Sequence, residues 1–141
     1  MTAEQHLHWI HDNLNTGLRW LKTNCTEGSR LSSAQLDAHQ QATYDLAVST
    51  SEIRCAQAYL ATARSKGGLT ETMAVAFAAQ MIQSSLNRLL ASPQDAGLTR
   101  ETLSAPTALA AFLDHNLNAQ HLAQIGADLI AVGGDTQSRG L

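Results

Sequence analysis

Leu31-Ser32-Ser33-Ala34-Gln35-Leu36 opens the segment on which the fold turns. Ser32 and Gln35 stand at the spacing of a capping box, in which a hydroxyl and an amide each satisfy a backbone donor left open where a helix begins. Leu31 and Leu36 occupy the positions of a hydrophobic staple around that cap. Beyond it Leu36, Leu46, Ile53 and Leu60 recur at intervals of seven or ten residues, interleaved with Ala42, Ala47, Ala56 and Ala63. Those intervals keep the apolar groups on one helical face. No Gly or Pro interrupts before Gly67-Gly68, and Arg64 and Lys66 stand where cations favour a helix C-terminus. The segment predicts one helix of about thirty residues, roughly 45 Å long at about 1.5 Å per residue.

The flanking sequence reads the same way. Thr2 and Gln5 form another capping box, and Leu7, Ile10, Leu14, Leu18 and Leu21 follow on one face. This predicts a helix from Ala3 to Asn24, with Gly17 weakening its middle and Glu27-Gly28-Ser29 closing the segment. A third helix is expected from Thr70, with Glu71 in its first turn and Met73, Phe77, Met81, Ile82, Leu86, Leu89 and Leu90 along it, until Ser92-Pro93 stops it. Ala74 to Ala79 holds no polar residue, so this helix should be the most buried. A loop from Ser92 to Gly97 and a short turn after Thr99 precede a fourth helix opened by Ser104-Ala-Pro106. Leu109, Leu113, Leu117, Ile125 and Leu129 supply its stripe, and Gly133-Gly134 end it. The double glycines at 67–68 and 133–134 fit helix C-caps.

Four amphipathic helices joined by short loops predict an all-α fold, an antiparallel four-helix bundle over residues 1–134, with residues 135–141 a polar tail or linker. Composition agrees: two prolines and six aromatic residues in 141 leave little material for strands, which want β-branched and aromatic side chains. A chain of this length holds one domain and needs no disulfide framework to support a core. Nine Lys and Arg against twelve Asp and Glu give a net charge of −3, with the basic residues scattered from Arg19 to Arg139. Nucleic acid demands clustered positive charge, so no such partner is expected. The longest uncharged apolar stretch, Thr72 to Asn87, carries Gln80, Gln83 and Ser84, and no segment reads as a membrane span. The opening Met1-Thr-Ala-Glu-Gln-His6 has neither the basic nor the apolar region of a signal peptide, and the expected location is cytoplasmic.

Di-iron bundles use Glu-x-x-His, and none of the twelve acids has a histidine three residues on; Glu52 has Cys55 there. His6, His8 and His11 crowd the first helix, and His8 with Asp12 offers two metal ligands without a third. These histidines read as solvated helix-face residues. His115 and His121, six apart, read as ordinary residues on different faces. Cys25 and Cys55 match neither a metal nor a disulfide spacing and read as small apolar packing groups. No nucleophile elbow or phosphate-binding glycine loop is present. Ser49-Thr50-Ser51 with Glu52 lowers helix propensity in mid-helix and reads as a solvated or bent stretch, with a polar contact to another protein surface as the alternative. Trp9 and Trp20 share a face; core packing is expected of them, and exposure would mark a docking surface. No catalytic, cofactor-binding or metal-ligating residue is expected in this chain.

Gln41-Ala-Thr-Tyr-Asp-Leu-Ala47, Glu52, Ala56 and Tyr59-Leu60-Ala61, with the apolar helix Met73–Leu90, the break Pro93–Gly97, Gly126-Ala-Asp-Leu-Ile130 and the tail Gly134–Leu141, carry a family likeness. Over residues 31–141 they resemble the N-terminal helical extension of the methylsuccinyl-CoA dehydrogenases, a branch of the flavin-dependent acyl-CoA dehydrogenase family. The resemblance implies a non-catalytic domain serving assembly or active-site cover in an enzyme that oxidises methylsuccinyl-CoA to mesaconyl-CoA. In that family FAD, CoA and the glutamate base belong to a body following such a tail, so none maps onto a residue here. The partner so implied is the dehydrogenase body, or a second copy through self-association. The alternative is a free-standing helical adaptor or small-ligand-binding bundle, with a homodimer among its forms. An accessory domain predicts an exposed apolar patch; the alternative predicts an isologous self-interface or a closed apolar pocket.

Overall fold

The computed structural model describes residues 1–133, so the expected tail at residues 135–141 lies outside the described residues. The described residues are all-α apart from one short ribbon. Helix α1 spans Ala3–Asn24, the bounds its caps predict. Thr2 Oγ1 accepts from the Gln5 amide at 3.2 Å, and the Thr2 amide donates to Gln5 Oε1 at 2.8 Å. Next comes an antiparallel ribbon, β1 (Thr26–Glu27) and β2 (Arg30–Leu31), with Thr26 opposite Leu31. The Ser32 amide then donates to the Cys25 carbonyl at 2.7 Å. That bond takes the donor a full capping box assigns to Gln35, so Ser32 makes the hydroxyl half of the box, accepting from the Gln35 amide at 3.3 Å. Leu31 stays 60% exposed, and the staple is open to water.

The long second helix is in fact two, α2 (Ser33–Ala38) and α3 (Gln40–Lys66), broken at His39, whose φ of −112° and ψ of 31° leave the helical region. The His39 ring meets the edge of Trp20 with centroids 5.4 Å apart. Gly67, at φ 64°, reverses the chain directly into α4 (Gly68–Ala91), which starts two residues before the expected Thr70. Pro93–Ala96 forms a 3-10 turn, and paired Thr99–Thr102 hydroxyl bonds make the turn expected after Thr99. The fourth helix is also broken. Helix α5 covers Thr107–Leu117 and α6 covers Ala119–Ala131. Asn118 caps both: its Nδ2 donates to the Asp114 and His115 carbonyls at 3.1 and 2.8 Å, and its Oδ1 accepts from the His121 amide at 2.9 Å.

Long-range pairs give the directions. Glu52 with Arg88, Tyr59 with Phe77 and Arg64 with Glu71 set α3 antiparallel to α4. Glu4 with Arg64 and Gly17 beside Leu46 set α1 antiparallel to α3. A Cβ on Gly17 would stand 2.8 Å from Leu46 Cδ2, so the glycine that weakens α1 locally is what lets it approach α3. Leu7, Ile10 and Leu14 of α1, Leu46, Ile53 and Leu60 of α3, and Ile82 and Leu86 of α4 fill the centre, closed by Leu103 and Leu109. Helix α4 buries nine residues, more than any other helix, as its composition foretold. Phe77 and Met81, expected in the core, are half-buried at its edge. Cys25 is buried as expected, but Cys55 is exposed on α3. Among the described residues no helix is long and apolar enough to cross a membrane.

Candidate functional site

The start of α1, the α3–α4 turn and the α5–α6 break converge at one end of the molecule around an open cleft of about 620 Å³. Its charged wall is a clamp across three helices. Arg64 of α3 donates from Nε and Nη2 to the two carboxylate oxygens of Glu4 on α1, at 2.7 and 3.0 Å, and from Nη1 to Glu71 of α4 at 2.5 Å. The guanidinium bond holds the Glu4 carboxyl below its ordinary range, and Glu4, with Glu71, raises Arg64 further. Both carboxylates are thereby committed to one cation.

Val75 and Phe112 supply the apolar floor, and Thr72, the hydroxyl on the lining, donates to the Gly68 carbonyl at 3.2 Å. Behind the floor lies His6, 2% exposed, its ring 4.7 Å from that of Phe112 and its Nδ1 without a hydrogen-bond partner. Burial, then the N-terminal ammonium, hold its pKa below the ordinary 6.5. The sequence placed His6 in solvent; it falls instead one residue from Leu7 on the inner face of α1. His115 and His121 also come together, with ring centroids 5.1 Å apart. The expectation of different faces assumed an unbroken helix, and the break at Asn118 removes that premise. Asparagine is among the favoured N-cap residues, which is the signal that would have found it.

The other residues singled out by sequence lie elsewhere. His8 reaches Asp12 at 3.3 Å on the exposed face of α1. Among the described residues no three His, Cys, Asp or Glu side chains gather closely enough to hold a metal ion. Trp9 and Trp20 are both half-buried against the core; Trp9 also forms one wall of a shallow groove with Met1 and His8. The hydroxyl run of α3 faces inward at one residue. Ser49 is fully buried and accepts from Arg88 Nη1 at 3.4 Å, while Arg88 makes a two-pronged pair with Glu52 at 2.6 and 2.8 Å. Ser51 bonds back to the Ala47 carbonyl at 2.9 Å. The run therefore buys a polar tie between α3 and α4 inside the molecule.

Helix α6 differs from every other long helix in having no buried residue. His121, Ile125 and Leu129 are half-covered on the side toward the bundle. Leu122, in the first turn of α6, is 44% exposed, and Ile130 and Val132, at and just beyond its end, are 80% and 53% exposed. A helix of 13 residues is marginal in water without a covered apolar face. No family model matches the chain, and no curated protein or solved structure matches it either.

Proposed function

We propose that the chain is a non-catalytic helical accessory domain that docks through α6 onto the catalytic body of an FAD-dependent acyl-CoA dehydrogenase of the methylsuccinyl-CoA type. The observation that carries this reading is that α6 buries no residue and that Leu122, Ile130 and Val132 are exposed on and beside it, on an otherwise well-packed bundle. An accessory domain viewed without its partner leaves apolar groups open in this way. The sequence resemblance supplies the identity of the partner, whose body binds FAD and the acyl-CoA and carries the base. The bundle's role is then assembly, or cover over the active site. A ligand-binding bundle expects an enclosed apolar pocket; the cleft beside Arg64 is open, and its charged wall is already neutralised by the Arg64 clamp.

Calorimetric titration of the purified chain with FAD and with methylsuccinyl-CoA tests this, with turnover followed by an artificial electron acceptor. Neither ligand should bind and no turnover should appear. The separately purified body of a methylsuccinyl-CoA dehydrogenase should associate, and Ile130→Glu should abolish the association. Binding of the CoA ester by the chain alone would make the bundle a substrate-recognition module, and turnover would overturn the reading outright.

A further inference from the structure

We propose that acid releases the α5–α6 arm from the end of the bundle, with His6 taking up the proton that drives the release. Three imidazoles come from three helices at one corner: His6 of α1 lies under Phe112 of α5, and His115 of α5 faces His121 of α6 across the break at Asn118. Glu4 and Glu71, the carboxylates of the neighbouring clamp, are already engaged. From α1 come the Met1 ammonium and Glu4, from α3 Arg64, and from α4 Glu71; both carboxylates are bonded to Arg64.

A proton on His6 places a charge at a 2%-exposed position whose Nδ1 has no partner. A buried unpaired charge is far costlier than the same charge in water, so the protonated ring favours any state in which it reaches solvent. Phe112 is the ring that covers it, so reaching solvent means moving α5. The arm is the element least able to resist. Helix α5 buries Leu109, Leu113 and Asn116, while α6 buries nothing.

Because the closed state holds the His6 pKa below 6.5, closure is complete above that value and weakens as the pH falls beneath it. Each coupled proton contributes up to about tenfold per pH unit. Hydrogen exchange on the full chain, followed from about pH 7.5 to about pH 5.5 and corrected for intrinsic rates, reads this out. The α6 amides should be less protected than those around Ile53 and Ile82 at every pH and should lose protection by up to about tenfold per pH unit below pH 6.5. Unchanged α6 protection overturns the proposal, as does α6 protection equal to that of the core, which is global unfolding. His6→Phe removes the proton, and α6 exchange should then lose its steepening in acid. Should His6→Phe fail to fold, Phe112→Ala still decides, because it uncovers His6 in the closed state and must flatten the same pH dependence.

Discussion

Gly97 shows how much one residue without a side chain can hold. Its φ of 65° lies in the left-handed region, and a Cβ there would overlap the Trp20 ring. Gly97→Ala therefore adds backbone strain of about 1–2 kcal/mol to an overpacking cost of about 1–3 kcal/mol. Urea unfolding should show a loss of at least about 2 kcal/mol. Gly28→Ala is the control, with the same sign of φ and open space around it, and should show the strain alone. At the same scale, His6 and Glu4 set the response of global stability to acid. The folded His6 takes up its proton less readily than the unfolded chain, so stability falls as the pH drops below 6.5. Glu4 gives up its proton more readily when folded, so its contribution is present above 4.5 and is lost as the pH falls through its lowered pKa. Urea midpoints across a pH series should show two successive declines, and His6→Phe should remove the first.

Among the elements, those with complete caps were legible and those broken by tertiary contact were not. Thr2 and Gln5 announce α1 because both halves of their capping box are local. The break at His39 has no glycine or proline to signal it; its ring packs on Trp20, a contact nineteen residues back in the chain. The β1–β2 ribbon escaped notice because each strand is two residues long. Ser49-Thr50-Ser51-Glu52 looked like a weak spot until its partner was known, since Arg88 lies thirty-six residues beyond Glu52. Each of that pair keeps a quarter of its side-chain area exposed. A double-mutant cycle with Glu52→Gln and Arg88→Met should give a coupling of about 0.5–3 kcal/mol. Asn118→Ala should cost about 1 kcal/mol of capping and should show first as lost exchange protection in α6.

For the whole molecule, the apolar spacing located the core helices but not the depth of each side chain. Leu46 and Ile53 are fully buried as their spacing foretold, whereas Phe77 sits at the rim against Tyr59. Ile53→Ala should cost about 2–5 kcal/mol; Phe77→Ala, half-buried, should cost less than the 3–5 kcal/mol typical of a fully buried phenylalanine, about 1–3 kcal/mol. Equal losses at the two positions would mean the rim is as tightly packed as the centre. The cleft was the least legible feature, because its residues come from five helices and meet only when all of them are in place.

The reversal at Gly67 also sets the order in which the chain can assemble. It joins the two longest helices, α3 and α4, with a single residue between them. Pairing across such a short connection closes almost no loop, and contacts near in sequence form ahead of those that must draw distant segments together. The α3–α4 hairpin is thus the natural nucleus, with α1 and the α5–α6 arm condensing onto it afterwards. Truncations at Ile53 and Ile82 would then slow refolding, while truncations at Leu7 and Leu109 would mainly hasten unfolding. The helix that condenses last would be α6, which leaves its face open to a partner until the rest of the molecule has finished folding.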